Sequence, residues 1–167
     1  MIELSISVGD LASIARGMRQ APEYTNEVLQ ATMTEATLLT QREWQENLPR
    51  VTGLTANSIT SDIASTPAGV LGIVSSSQPS AVFIELGTKP HMPPVAALVP
   101  WVKAVLGIRD PKEAESTAFL VARKIAREGT PARHPGAQAL SAVTGQVVAM
   151  FERAAAQIAK HLVGGTK

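Results

Sequence analysis

Between Leu140 and Leu162 the apolar residues Leu140, Val143, Val147, Phe151, Ala154, Ile158 and Leu162 recur at steps of three and four. That period fits one side of an α-helix and no strand, and it is sustained for about six turns. A helix of this length must bury its stripe on something. The rest of the same domain would serve, and so would the seam of an oligomer.

A second long helix is expected upstream. Pro22 suits a first helical turn, with Glu23 favourably placed by the helix dipole. Leu29, Met33, Ala36, Thr40, Trp44 and Leu48 then follow a helical period until Pro49 ends it. Ahead of this helix, Ile2, Leu4, Ile6 and Val8 alternate with Glu3, Ser5 and Ser7, the pattern of a half-buried strand. Gly9 and Asp10 close that strand. Asp10 would then cap a short helix carrying Leu11, Ile14, Ala15 and Met18.

Residues 58–76 are rich in Ser, Thr, Ile and Val around Pro67-Ala68-Gly69, which predicts an antiparallel hairpin of 57–66 and 70–76. Gly69 and Gly72 suggest a bend or bulge near its turn. Further on, residues 95–106 read as a helix carrying Trp101, with Gly107 as its C-cap. Asp110-Pro111 opens another by the Asp-cap, Pro-first rule, its stripe being Ala114, Ala118, Val121, Ala122 and Ile125. The expected fold is α+β. A small antiparallel sheet, made of the N-terminal strand and the hairpin, packs on a long helix, and a long C-terminal helix closes one domain at 1–163. Residues 164–167 read as a flexible tail.

Composition narrows the function. At 167 residues, 45% of them hydrophobic, the chain can bury a real core, which argues against disorder. It has no cysteine, which excludes disulfides, thiolate catalysis and Cys-ligated zinc. Met1-Ile2-Glu3-Leu4 lacks the basic start of a signal peptide, and no apolar run approaches the ~20 residues of a bilayer span. Folding in the cytoplasm and no membrane partner are the expectation.

The net charge of +1 conceals a polarity. Residues 1–88 hold 4 basic and 9 acidic residues, a net of −5, whereas 89–167 hold 11 basic and 5 acidic, a net of +6. Solvated helix faces account for such a split, and so would oppositely charged surfaces that favour head-to-tail contact between copies. The basic half, with Arg123, Lys124 and Arg127 and then Arg133 and His134, could also meet phosphates. Stacking aromatics are scarce at 4%, and no helix-turn-helix stands out.

Motifs for chemistry are missing. There is no Gly-x-Ser-x-Gly elbow, no phosphate loop and no dinucleotide fingerprint. Asp10 and Asp110 read as helix caps and Asp62 as a strand residue facing water. His91, His134 and His161 lack the spacing of a zinc site. Glu85, among Val82, Phe83, Ile84 and Leu86, is the one carboxylate in an apolar setting. It could serve as a general base, accept hydrogen bonds from the main chain of the adjacent turn, or pair with a cation of a neighbouring copy. Thr52 and Ser58 read as turn and strand-entry residues. No catalytic, metal or cofactor residue is assigned.

Two stretches stand apart: Thr52-Gly53-Leu54-Thr55-Ala56-Asn57-Ser58-Ile59 and Phe83-Ile84-Glu85-Leu86-Gly87-Thr88-Lys89-Pro90-His91. Each joins a glycine, where backbone can turn sharply, to a Ser or Thr able to bond its own main chain. Thr52, Gly53, Leu54, Ser58, Glu85, Gly87 and Thr88 are therefore read as structural corners. In this order they resemble the neck and tail-completion family of long-tailed bacteriophages. Members of that family typically carry Thr-Gly-x-Leu-x-x-Ser-Ile and then an aromatic-rich Val-Glu-Phe-Gly-Thr corner. Here Leu54 directly follows Gly53, one position earlier than the family's Leu, and Phe83 and Leu86 stand where the family often has Tyr and Phe. Residues 95–128, followed by Gly129-Thr130 and a Pro/Arg loop, resemble the helical insertion of longer members.

The resemblance, which spans about residues 22–162, implies a non-enzymatic virion component assembled in the host cytoplasm. It implies a homo-oligomeric ring, six-fold, at the head–tail junction, joining connector and head-closure proteins to the tail. DNA would pass through its channel without sequence-specific binding. Lys89, His91 and Pro93 in one loop, and Arg133 and His134 in another, are candidate contacts with neighbouring proteins. The alternatives are a tail terminator or other minor tail protein, and a small DNA-associated or host-directed factor of a mobile element.

Overall fold

The structure is a computed structural model that describes residues 8–49, 51–66 and 69–164. Among the described residues six helices and two strands follow one another: α1 (Val8–Asn47), α2 (Leu54–Asn57), β1 (Ile59–Thr66), β2 (Gly69–Ser76), α3 (Pro79–Leu86), α4 (Val95–Leu106), α5 (Pro111–Glu128) and α6 (Pro135–Gly164). The fold is α+β and mostly helical, and the described sheet is the antiparallel β1-β2 pair.

Several expectations are corrected. The N-terminal strand lies outside the described residues except for Val8, and Val8 opens α1. It stands three residues before Leu11, in register with the helical stripe Leu11, Ala15, Met18. The two helices expected on either side of Pro22 are one, with Pro22 inside it. Proline keeps a helical φ and removes one hydrogen bond, and the good helix formers Met18, Arg19, Gln20 and Ala21 carry the helix up to it. The first hairpin strand begins at Ile59 because residues 54–57 form the short helix α2. The expected tail loses Gly164 to α6, and residues 165–167 lie outside the described residues.

Two compact units can be distinguished, each assembled from separate stretches of chain. One comprises α1 through Gln41, the hairpin between Ser61 and Val74, and α6 from Ala142. Here β2 lies directly on α1. A Cβ added at Gly72 would stand 2.5 Å from Thr37 Cγ2 and 2.6 Å from Met33 Sδ, so the glycine serves close approach of strand and helix. Gln30 Nε2 donates to Ser65 Oγ at 3.0 Å along the same face. At the other side of this unit Tyr24 stacks on His161, with ring centroids 3.7 Å apart, and Gln157 Nε2 donates to the Tyr24 hydroxyl.

The other unit comprises residues 42–60 and 75–141. Its α4 and α5 form a helical pair around Val102, Ala114 and Ala118, all fully buried, with Val95, Leu98, Val99 and Ile108 packed against them. Ala114, Ala118 and Ala122 recur every fourth residue of α5 as its buried stripe, and α4 meets the methyl groups of the first two. Both expected caps form. Gly107 ends α4 with φ 71°, and the Asp110 carboxylate accepts from Glu113 N at 2.8 Å to start α5.

Candidate functional site: two Gly-Thr corners and a capped helix

α3 and α5 end in the same way. Each runs into a glycine with φ near 70° and an extended ψ, Gly87 (70°, −174°) and Gly129 (75°, −162°), followed by a threonine. L side chains scarcely populate that region of backbone space. The two threonines then pair as an isolated antiparallel bridge across 42 residues of chain. Thr88 N donates to Thr130 O at 3.0 Å, Thr130 N donates to Thr88 O at 3.2 Å, and the two hydroxyls are 2.8 Å apart. Each glycine is also boxed in by the opposite corner. A Cβ at Gly87 would strike Thr130 O and come within 2.7 Å of Ala132 N; one at Gly129 would strike Thr88 O and come within 3.0 Å of the Lys89 carbonyl carbon.

Glu85 lies one helical turn before this bridge, and its carboxylate accepts from the start of α6. Oε2 takes the amide of Gly136 at 2.8 Å and Oε1 the amide of Ala137 at 3.1 Å. The first amides of a helix have no partner within it and carry its positive dipole end, so a carboxylate there is a strong cap. Two main-chain bonds tie the same segment down, from Arg133 N to Ile84 O (3.0 Å) and from His134 N to Glu85 O (3.3 Å). Asn47 Nδ2 donates to Pro135 O at 3.4 Å, and the Trp44 ring lies 3.0 Å from where a Gly136 Cβ would stand. Trp44 Nε1 is the one buried side-chain polar atom among the described residues without a hydrogen-bond partner.

The Gly53 corner is built differently. Gly53 has φ 75° and ψ −8°, and its carbonyl accepts from Asn57 N at 2.8 Å. Thr52 Oγ1 accepts from Leu54 N at 3.4 Å. Ser58 sits at strand entry as expected, its hydroxyl donating to Thr55 O at 2.7 Å and meeting Ser76 Oγ at 2.8 Å. Leu54 is exposed, and Thr55 Oγ1 lies 2.8 Å from Ser80 Oγ, which links α2 to the first turn of α3.

Of the candidate contact residues, Lys89, His91, Arg133 and His134 are exposed and Pro93 is half-buried. His91 N donates to Ile125 O at 3.4 Å, which lays the Lys89–His91 segment against the end of α5. Among the described residues no group of three or more His, Asp or Glu side chains is placed to hold a metal ion. At the end of α5, Arg127 donates through Nε and Nη2 to Glu128 Oε1, and this bond holds the Glu128 carboxyl below the usual carboxylate range.

Of the three sequence readings of Glu85, main-chain acceptor is the one these bonds match, but the donors expected for it were those of the adjacent turn. The donors belong to a helix 51 residues away. The repeat of Gly-Thr at 87–88 and 129–130 was the visible trace of the bridge; nothing local signalled that the two would pair. No described helix is long and apolar enough to cross a membrane. No family model, curated protein or solved structure matches this chain.

Proposed function

We propose that this chain is a structural component of a tailed-phage virion, made in the host cytoplasm and assembled as a six-fold ring at the head–tail junction. The ring joins connector to tail as a neck or tail-completion protein and leaves a channel for DNA. The observation that carries this reading is the interlocked pair of Gly-Thr corners with Glu85 capping α6. It sits on the stretch that resembles that family, and it spends the one conspicuous carboxylate on architecture. Exposed apolar side chains add support. Val82, Phe83 and Leu86 on α3, and Trp101, Val105 and Leu106 on α4, are exposed apolar side chains of the kind that neighbouring subunits cover. Lys89, His91, Pro93, Arg133 and His134 are the residues offered to neighbouring proteins.

Electron microscopy of the purified protein, paired with its solution mass, tests the reading. A ring with a central hole is expected, and a monomer at high concentration would overturn it. Exposed Arg123, Lys124 and Arg127 favour a second reading, a DNA-associated factor. That reading replaces the first if the monomer binds one duplex sequence in preference to others.

A further inference from the structure

Beyond Tyr24, where α6 packs, α1 leaves an outer face uncovered, as α5 does opposite its buried alanines, and the two faces are opposite in charge. On α1 the exposed residues Glu27, Ala31, Glu35 and Leu38 lie away from Gln30, Met33 and Thr37, which meet the hairpin. Glu23 is exposed one turn earlier. Among the described residues no ion pair engages Glu27 or Glu35. On α5 the buried positions Ala114, Ala118 and Ala122 define an inner face. Opposite them stand Ser116, Leu120, Arg123, Lys124 and Arg127, all exposed. Glu128, bonded to Arg127, is the one acid at that end.

The order of chemistry along the two faces is reversed. On α1, Glu35 precedes exposed Leu38 by three residues; on α5, Arg123 follows exposed Leu120 by three. Laid antiparallel, Leu38 meets Leu120 and Glu35 meets Arg123, each about 4.5 Å further along the axis. Glu27 then lies about 6 Å beyond Arg127, a gap that two long side chains can span.

We infer that these faces form a contact between copies: the outer face of α1 of one copy docks antiparallel on that of α5 of the next. Because the two faces are different, the contact is head-to-tail, and repeating it generates a ring or a filament. The inference deepens the ring reading by naming the subunit seam. A second copy fits α5 better than a DNA backbone does, because Leu120 and Phe119, about 60% and 47% exposed, flank the cations. Phosphates offer an apolar side chain nothing, and three cations fall short of the roughly six to ten phosphate contacts of a strong DNA site.

The test is a charge swap on the full chain, read by sedimentation velocity, with circular dichroism confirming the fold. Glu27→Lys with Glu35→Lys, or Arg123→Glu with Lys124→Glu, should each weaken self-association about tenfold or more. Mixing the two variants, or combining all four changes in one chain, should restore it. Wild-type association should weaken as ionic strength rises to about 1 M. If rings persist unchanged in both double variants, the seam lies elsewhere and the ring reading stands. If the wild type forms open filaments that the swap controls, the seam stands and the ring reading falls. If Arg123→Glu with Lys124→Glu spares association but abolishes binding of a duplex oligonucleotide, the face belongs to DNA and the inference is overturned.

Discussion

Gly53 and Gly129 share a φ of 75°, yet they do different work. Gly53, with ψ near zero, is a left-handed turn that asparagine can also adopt, and a Cβ there would meet nothing nearer than Asn57 Nδ2 at 3.6 Å. Gly129, like Gly87, combines positive φ with extended ψ, a region essentially restricted to glycine, and the partner corner fills the space where a Cβ would go. One glycine eases a turn. The other two are the contact surface of an interlock. Positive φ alone therefore says little about how much depends on a glycine; ψ and the distance to the opposing chain decide it.

The largest effect should come from the interlock. Gly129→Ala should lower stability by about 3 kcal/mol or more, since strained backbone and a clash with Thr88 O add together; urea denaturation would show it, and a loss below about 1 kcal/mol would erase the contrast with Gly53. Next comes the cap. Glu85→Ala should cost about 2 kcal/mol and raise amide exchange at Gly136 and Ala137, whereas Glu85→Gln, which keeps an acceptor, should cost roughly half as much. Changing Thr88 and Thr130 together to Val removes the paired hydroxyls while keeping the main-chain bridge, for a loss of about 1 kcal/mol. Smallest is the open corner: Gly53→Asn should fall within about 0.5 kcal/mol of wild type. Parity between Gly53→Asn and Gly129→Ala in the same denaturation series would break the distinction.

How much of this was legible in the sequence depended on whether the cause was local. α4 and α5 were readable nearly to the residue, because Gly107 and Asp110-Pro111 punctuate the chain where they stand. The stripe of α6 was equally plain, but its start was not. The helix begins at Pro135, five residues before the stripe, with a cap supplied from α3. α3 carries no such signal, being eight residues long with apolar side chains on most of its surface, so it has no clear period. At Pro22 the local rule misled: it signals a helix start, and the helix formers before it outweighed it. The corners were recognisable as corners from Gly and Thr alone. That Thr88 would hold Thr130, and Glu85 the first amides of α6, is a property of tertiary structure.

The Glu85 cap also sets an order of events during synthesis. Its acceptor leaves the ribosome 51 residues before the first of its donors, so a nascent chain carries an unspent carboxylate until Gly136 and Ala137 emerge. Chains stalled short of that point cannot close the cap, and the carboxylate stays in water. The start of α6 is thus fixed only once α3 is in place to receive it, which makes the last described helix a report on whether the middle of the chain has folded.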